Sequence, residues 1–245
     1  MPADSESIAR ATKARGRKVF AAIAATIIAL TTTAHVALMA GGNFGVVDPG
    51  KVYRSAQPTS SIEQLIRDRR LASILNLRGG TLANSWYSAE VQAARALHVD
   101  FYDFPMSATR RPTRRELLTL IDIFGRCRYP LLIHCKSGSD RTGLAAALYL
   151  MIVRGVGPRE ALGSFTLRHA HVPLFGPERL HEPLNEYGDW LEANGLAHSP
   201  ARFRRWVEVS FTSDDPAVTF RPLRPGPRRM LEKEADVAGD PGAVR

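Results

Sequence analysis

The middle of the chain is built from short blocks in which apolar residues recur first at strand spacing and then at helix spacing. Short apolar runs that end in turn residues predict strands, and longer stretches of helical period predict helices. Strands are predicted at residues 51–55, 73–77, 100–104 and 131–133, and helices at 60–70, 84–97, 113–126, 144–153, 158–169 and 177–194. Because strands and helices alternate, we expect an α/β fold in which helices flank a mostly parallel central sheet.

Capping residues mark where two of these helices begin. Thr113 is followed three residues later by Glu116, which is the spacing of a capping box. Ser60 or Ser61 is the expected cap of the helix that ends near residue 70. Ligands of open α/β sheets bind outside the carboxyl ends of the strands, so we expect a functional site at that edge.

The most informative segment follows the predicted strand 131–133 and runs from His134 to Thr142. A chain that turns from a strand into a helix directs successive backbone N–H groups at one point, and the first helical turn adds unpaired amides. Gly138 permits close approach of the backbone, and the guanidinium of Arg141 matches two phosphate oxygens. We therefore predict a phosphate site formed by Cys135, Lys136, Ser137, Gly138, Ser139, Asp140 and Arg141.

Cys135 is the predicted nucleophile, because the positive potential of such a loop stabilises a thiolate. Thr142 is placed to donate a hydrogen bond to the sulfur and to help it leave a phosphocysteine. A single cysteine at an apolar junction, or a single histidine such as His134, is usually a buried core residue. The combination of these residue types at fixed spacing, between a strand and a helix, favours catalysis instead.

The pattern His-Cys, five residues, Arg-Thr resembles the signature of the cysteine-based protein tyrosine and dual-specificity phosphatases. Residues 43–58, which read NFGVVDPGKVYRSAQP, are similar to the start of the core in atypical dual-specificity phosphatases of bacteria, plants and fungi. The similarity extends from about Asn43 to about Leu196. It implies a protein-tyrosine-phosphatase-like fold and a two-step hydrolysis, in which the thiolate forms a phosphocysteine that water then cleaves to inorganic phosphate.

The same resemblance implies a general acid, an aspartate on a separate loop before the cysteine. Asp103 lies 32 residues before Cys135 and fits by count, but it falls in a predicted strand. Residues 106–112 contain no carboxylate, and alignment on the strand places Ala108 at the expected position. Asp140 is the alternative, since some cysteine phosphatases that act on lipids resemble this chain in having an acid directly before the loop arginine. Asp140 can equally be a structural carboxylate that pairs with an arginine or a helix N-terminus.

The two ends of the chain differ from the predicted catalytic domain, residues 43–198. Residues 1–18 are basic, and residues 19–40 are apolar with His35 as the sole ionisable side chain. These 22 residues give a helix of about 33 Å, which is long enough to span a bilayer. We predict a transmembrane helix at residues 19–41, with a cleaved signal peptide as the alternative.

The basic N-terminal flank predicts which side of the membrane each end occupies. Positive residues are retained in the cytoplasm, so the catalytic domain is expected on the other side. In a bacterium this arrangement is a single-pass inner-membrane protein with a periplasmic catalytic domain. Cleavage of the helix would instead give a secreted protein.

Residues 199–245 are rich in proline and arginine, and we predict a largely disordered tail. The net charge is +9, but the excess is spread along the chain without a basic stripe that contains aromatic residues. We expect no nucleic-acid partner. The positive charge is better suited to a phosphorylated substrate or to anionic lipid headgroups, and we expect a monomer.

Two cysteines and four histidines need separate interpretation. Cys127 lies eight residues before Cys135 and is either a core residue or, in an oxidising compartment, a partner for a disulfide that would inactivate the nucleophile. The histidines at 169, 171, 181 and 198 lack the spacing of metal ligands. We therefore expect neither a metal nor a cofactor.

Three functions remain open from the sequence. The favoured one is hydrolysis of phosphotyrosine, or of phosphoserine and phosphothreonine, in proteins, and the first alternative is hydrolysis of phosphoinositides. Lys136 resembles lipid and inositol phosphatases, whereas Asp140 reduces the positive charge that such polyanions require. The third is a weakly active phosphate-binding module, because the loop 106–112 lacks its aspartate. Sulfur transfer by a rhodanese-like loop is disfavoured, because such loops are usually shorter and lack the His-Cys start.

Overall fold

The computed structural model describes residues 3–58 and 62–212 of the 245-residue chain. The chain divides into two units, Met1–Gly41 and Gly42–Arg245. Ser60 and Ser61, the predicted caps, lie outside the described residues, and so do the last 33 residues of the predicted tail.

The first unit contains one helix, α1 (Ala3–Ala40), which begins well before the predicted apolar stretch. Alanine, arginine and lysine are good helix formers, so the basic N-terminal segment continues the helix. The stretch Arg15–Thr33 is long and apolar enough to cross a membrane, and its side chains are not buried. Thr26 and Thr31 bond their hydroxyls to carbonyl oxygens of the preceding turn, those of Ala22 and Ile27, at 2.9 Å. Their polar groups are therefore satisfied within the helix.

The second unit is an α/β domain with a five-stranded sheet of order β1-β2-β5-β3-β4. The strands are β1 (Gly45–Asp48), β2 (Val52–Ser55), β3 (Ser73–Asn76), β4 (Asp100–Asp103) and β5 (Leu131–His134). Only β1 runs antiparallel, against β2, and the remaining neighbours are parallel. The predicted mostly parallel sheet is confirmed, and β1 is the strand that the sequence did not predict.

Eight helices accompany the described part of the chain: α1, α2 (Ile62–Arg69), α3 (Ser85–Ala96), α4 (Arg114–Arg126), α5 (Asp140–Val153), α6 (Pro158–Ala161), α7 (Glu182–Ala193) and α8 (Pro200–Val209). α4 begins with the predicted capping box between Thr113 and Glu116. The predicted helix 158–169 is only one α-turn followed by 3₁₀ turns at Leu162–Ser164 and Leu167–His169. Gly163 lies where the helix stops, and glycine disfavours helix continuation. The predicted helix 177–194 begins as a 3₁₀ turn, Pro177–Leu180.

The sheet separates two apolar layers. Successive side chains of a strand point to opposite faces of the sheet. All four residues of β5 are buried, because both faces of the sheet are covered by helices. Leu131 and Ile133 pack with α4, α5, α7 and α8, whereas Leu132 packs with α2 and α3. The carboxyl end of β5, where the predicted phosphate loop (residues 135–141) begins, is therefore held between two packed layers.

Helix α8 lies where the sequence predicted a disordered tail, and for residues 200–209 that prediction is wrong. Ser199 caps the helix by accepting a hydrogen bond from the amide of Arg202 at 3.2 Å. Phe203 and Val207 are fully buried and Trp206 nearly so, which gives the helix an apolar face at helical spacing. This face was overlooked because arginines surround it in the sequence. The domain core thus extends beyond residue 198, as far as the buried Phe211.

If α8 belongs to the core, Phe203→Ala will destabilise the protein by about 3–5 kcal/mol, because it leaves a cavity in a fully packed site. Val209→Ala is the matched control, since Val209 lies on the same helix with 60% of its surface exposed and its truncation should cost less than about 0.5 kcal/mol. Urea unfolding of both variants measures the difference. Equal stabilities would contradict the packing of α8.

Candidate active site

The predicted phosphate loop lies between the end of β5 and the start of α5, at the carboxyl edge of the central strand. Cys135 directly follows β5 and is 1% exposed. The helix starts at Asp140, so Arg141 lies in its first turn. The predicted nucleophile and the predicted phosphate-binding residues thus lie in one short loop that ends at a helix N-terminus.

Hydrogen-bond donors that precede and follow β2 bind the outer side of the phosphate loop. The backbone amide of Gln57 donates to the carbonyl oxygen of Lys136 at 3.2 Å. The side-chain amide of Asn43 donates to the carbonyl oxygen of Ser137 at 2.8 Å. A carbonyl and the N–H of the same peptide plane point in opposite directions. Carbonyls that are held outward therefore leave N–H groups for an anion on the inner side.

Arg54 of β2 completes this outward bonding and is 3% exposed. Its guanidinium donates to three carbonyl oxygens, those of Ser164 (2.7 Å), Gly138 (2.9 Å) and Ser139 (3.3 Å). Burial lowers the pKa of Arg54 to about 10, while the charges of Cys135 and Asp140 act in the opposite direction. Because this pKa remains above neutrality, Arg54 is a buried cation beside the predicted thiolate.

Gly138 fits the loop because no side chain can be accommodated there. Its φ of 71° lies in the left-handed region, which favours glycine. A Cβ at this position would lie 2.5 Å from the amide nitrogen of Ala56 and 2.5 Å from the carbonyl carbon of Ser55. The loop backbone therefore packs directly against the backbone that follows β2.

Arg141 is fixed by the loops that follow β3 and β4. Its Nη1 donates to the carbonyl oxygens of Leu77 at 3.1 Å and Met106 at 3.3 Å. Within the described part of the chain, neither Nε nor Nη2 of Arg141 has a hydrogen-bond partner. That edge of the guanidinium is the one that can bind two oxygens of a phosphate.

Thr142 does not make the predicted hydrogen bond. Its side chain is fully buried in the first turn of α5, and its hydroxyl has no partner among the residues that the structure describes. The predicted contact between this hydroxyl and the sulfur of Cys135 is therefore wrong for this structure.

His134 is part of a buried polar cluster rather than of the loop surface. Its Nε2 lies 2.8 Å from Oε1 of Glu90, and neither side chain is exposed. The other oxygen of Glu90 accepts a hydrogen bond from the side chain of Gln57 at 2.9 Å. The cluster joins β5, α3 and the residues after β2 at the base of the phosphate loop.

Asp103 lies at the end of β4, away from the strand that carries the nucleophile. Its register partner in β3 is Asn76, which in turn pairs with His134 of β5. Two interstrand spacings of about 4.8 Å therefore separate Asp103 from β5. One of its carboxylate oxygens accepts a hydrogen bond from the hydroxyl of Tyr87 at 2.8 Å. Asp103 is thus held in a strand and engaged with a neighbouring helix.

Asp140 lies in the phosphate loop itself, beside Arg141. Its Oδ1 accepts a hydrogen bond from the hydroxyl of Ser139 at 3.0 Å and lies 2.8 Å from Nδ1 of His171. The carboxylate is one-fifth exposed. Of the two candidate acids, Asp140 is the one that lies between the predicted nucleophile and Arg141, at the start of α5.

Cys127 caps the end of α4 and is 8% exposed. Burial raises the pKa of its thiol to about 11, so it is protonated at neutral pH. Neither cysteine forms a disulfide in this structure. Cys127 therefore packs as a small apolar residue.

Three residues with clear roles around the loop were not identified from the sequence: Asn43, Arg54 and Glu90. Each is polar and at most 3% exposed. Asn43 and Arg54 fall within residues 43–58, which the resemblance singled out without assigning roles. A charged residue inside the short strand 52–55 was the available signal. Residues 3–58 and 62–212 contain no group of three or more side chains arranged to hold a metal.

The sequence matches the model of a known protein family. The family PTP-NADK, described as DSP-PTPase phosphatase fused to NAD+ kinase, matches residues 35–175, which is more than half of the chain. The match includes the whole phosphate loop.

The individual relatives described next share at most about a third of their residues with the chain. The chain is 31% identical over 109 residues to inositol diphosphatase DSP1 of Oryza sativa subsp. japonica, and the match covers 41% of this chain and 46% of that protein. The chain thus spans about half the length of this curated relative. Among solved structures, the core catalytic domain of the PP-IP phosphatase SIW14 from S. cerevisiae is 19% identical, with a TM-score of 0.47, and covers 62% of this chain and 93% of its own. PTPMT1 is 18% identical with a TM-score of 0.46, at 62% and 98% coverage.

Replacing Gly138 with alanine should disrupt the loop, because the added Cβ would collide with the backbone at Ala56. We expect a fall of about 100-fold in hydrolysis of p-nitrophenyl phosphate, since small displacements of a catalytic loop are that costly. Gly125→Ala in α4 is the control, because nothing lies within 4 Å of its added Cβ. A Gly138→Ala variant as active as Gly125→Ala would refute the close backbone contact.

Proposed function

The chain belongs to the PTP-NADK family, that of DSP-PTPase phosphatases fused to NAD+ kinase, and we propose that it removes phosphate from a phosphorylated inositol ring. As a member of this dual-specificity, protein-tyrosine-phosphatase-like family it is a phosphatase. The observation that carries the proposal is an additional cation, Arg78, beside the phosphate loop.

In the proposed mechanism Cys135 attacks phosphorus, so that a sulfur–phosphorus bond forms while the bond to the leaving oxygen breaks. The inward N–H groups of the loop bind the equatorial oxygens, and the open edge of Arg141 binds two of them as charge develops. A water molecule then attacks the phosphocysteine and releases inorganic phosphate and the thiolate. Arg54 stabilises the thiolate from the buried side of the loop.

Arg78 lies two residues beyond the end of β3, directly after the residue whose carbonyl oxygen holds Arg141. Its guanidinium carbon lies 3.5 Å from the ring centroid of Trp86, which holds the side chain in place. Burial lowers the pKa of Arg78, the charge of Arg141 lowers it further, and Cys135 raises it. Arg78 is thus close enough to the loop to interact with both groups.

One phosphate monoester is already matched by the loop and Arg141. A second cation at the mouth suits a substrate with further phosphates, and the exposed Lys136 adds a third positive charge. The similarity to an inositol diphosphatase supports the same substrate class. A phosphorylated inositol ring occurs both as a soluble polyphosphate and as a lipid headgroup, and both present this chemistry.

Phosphotyrosine, or phosphoserine and phosphothreonine, in proteins is the second candidate substrate. Asp140 favours it, because a carboxylate in the loop reduces the positive charge offered to a polyanion.

The substrate proposal is tested by comparing kcat/KM for a soluble diphosphoinositol polyphosphate, phosphatidylinositol phosphate in vesicles, a phosphotyrosine peptide and p-nitrophenyl phosphate. Arg78→Gln should lower the value for the preferred inositol substrate about tenfold or more, the equivalent of one lost charged contact, and leave p-nitrophenyl phosphate nearly unchanged. Arg69→Gln is the control, since Arg69 also stacks on aromatic rings, those of Phe44 and Tyr53.

A preference for the peptide that Arg78→Gln leaves intact would favour a protein phosphatase instead. The absence of turnover with every substrate, in wild type as in Cys135→Ser, would leave only a phosphate-binding module.

We further propose that α1 anchors the protein as a single pass in the bacterial inner membrane, with the phosphatase domain in the periplasm. The basic residues of the segment 1–18 support this orientation. The apolar stretch Arg15–Thr33 and its internally bonded threonines support a location in the membrane. A secreted form produced by cleavage is the alternative.

The anchor proposal predicts that the full-length chain stays in the membrane pellet after alkaline carbonate washing. Protease added to spheroplasts should then degrade the phosphatase domain, because that domain lies outside the inner membrane. Protection of the domain in intact spheroplasts would indicate the opposite orientation. A shortened soluble protein would indicate cleavage of the helix.

A further inference from the structure

The phosphate loop carries a histidine pair that the proposed function does not yet use. Nδ1 of His171 lies 2.8 Å from Oδ1 of Asp140, and Nε2 of His171 lies 2.9 Å from Nε2 of His181. Three side chains from the loop and the segment after α6 thus form a continuous chain of hydrogen-bonding atoms that begins next to Arg141.

The proton positions in this chain follow from its acceptors. Oδ1 of Asp140 accepts a hydrogen bond from Ser139, and a carboxyl oxygen that carries no hydrogen can only accept, so we assign Nδ1 of His171 as a donor to it. A neutral His171 then has a lone pair on Nε2, and His181 donates its Nε2–H to that lone pair. Burial lowers the pKa of His181, in agreement with a neutral ring there. The assignment leaves Oδ2 of Asp140 without a partner in the described part of the chain.

The pair sits in an enclosed site. His171 is 3% exposed, and the ring of Phe165 lies against both imidazoles, with centroids 4.9 Å from His171 and 4.2 Å from His181. Phe165 reaches this position because Gly143 of α5 has no side chain: a Cβ there would lie 2.8 Å from the Phe165 ring. Phe165 therefore covers one side of both imidazoles.

The loop 106–112 contains no carboxylate, and Asp103 is engaged with Tyr87 at the end of β4. Protonation of the leaving oxygen must therefore come from another group. We propose that Asp140 is the general acid and that His171, held by His181, is its positioning residue, so that the two histidines direct Oδ2 of Asp140 at the leaving oxygen. This inference rests on the proposed phosphatase function and adds the source of its proton.

The proton balance of the two steps is closed within the loop. In the substrate complex Asp140 holds a proton on Oδ2, which moves to the leaving oxygen as the phosphorus–oxygen bond breaks, and the bonding pair of the O–H bond stays on Asp140. The hydrogen bond from His171 stabilises the carboxylate that results. In the second step the attacking water gives a proton back to Asp140 while the sulfur–phosphorus bond breaks.

Leaving-group dependence tests the proposal. p-Nitrophenolate leaves with little assistance, whereas phenolate requires protonation, so loss of the general acid raises the ratio of kcat for p-nitrophenyl phosphate to kcat for phenyl phosphate. We expect Asp140→Asn to raise this ratio about 100-fold and His171→Ala about tenfold or more. His171→Asn, which can keep an N–H near Nδ1, should restore part of the loss. His181→Ala should act in the same direction as His171→Ala.

Two further variants make the result decisive. The double variant Asp140→Asn/His171→Ala should be no worse than Asp140→Asn alone, because the histidine acts only through the aspartate. His198→Asn is the matched control, since both ring nitrogens of His198 are also hydrogen-bonded, but to Tyr187 and the carbonyl oxygen of Met151. Its ratio should equal that of the wild type.

Several results would overturn the inference. Equal losses with both substrates in His171→Ala, additive losses in the double variant, or a ratio raised by Asp103→Asn instead of Asp140→Asn would each exclude it. If His171→Ala is unfolded by circular dichroism, the comparison rests on His171→Asn and His181→Ala. Failure of the proposed function itself is distinguishable, because wild type and Cys135→Ser would then be equally inactive with both esters.

Discussion

The arrangement of the site depends on one constraint: the carbonyl oxygens of the phosphate loop are bonded outward. Three donors outside the loop impose it, the backbone amide of Gln57, the side chain of Asn43 and the buried guanidinium of Arg54. Without these bonds the peptide planes could rotate and place carbonyl dipoles beneath a bound anion. The sheet contributes by fixing β2 beside β5, which brings the donors to the loop. Strand pairing and anion recognition are thus parts of the same structure.

Much of the fold could be predicted from the sequence, and the failures have identifiable causes. Buried strands such as 131–134 form apolar runs bounded by turns, and their local signal is strong. β1 was missed because it is a four-residue edge strand containing glycine. The helix α8 was missed because its apolar face, with Phe203 and Trp206, is hidden among arginines. Long-range packing decides such segments, and local composition does not record it.

In the candidate site, too, local sequence signals identify some residues and long-range contacts determine the others. The nucleophile, the arginine and the glycine of the loop are adjacent in sequence, so their spacing was sufficient to find them. Arg54 lies more than 80 positions before the carbonyl oxygens that it holds, and His171 lies 31 positions after Asp140. Partners so distant in sequence meet only in the folded chain. For this reason the sequence alone does not distinguish the roles of Asp103 and Asp140, whereas the fold places Asp103 in an edge strand and Asp140 in contact with His171.

The buried cluster of Glu90, His134 and Gln57 has a consequence for how the sequence can diverge. The side chains of Glu90 and His134 are fully buried. Replacement of either one by an apolar residue therefore leaves the other as a buried polar group with neither a partner nor water. Drift at one site should therefore be tolerated only together with a matching replacement at the other. Across descendants of this chain the two positions are expected to covary, and an isolated apolar replacement there should be eliminated by selection.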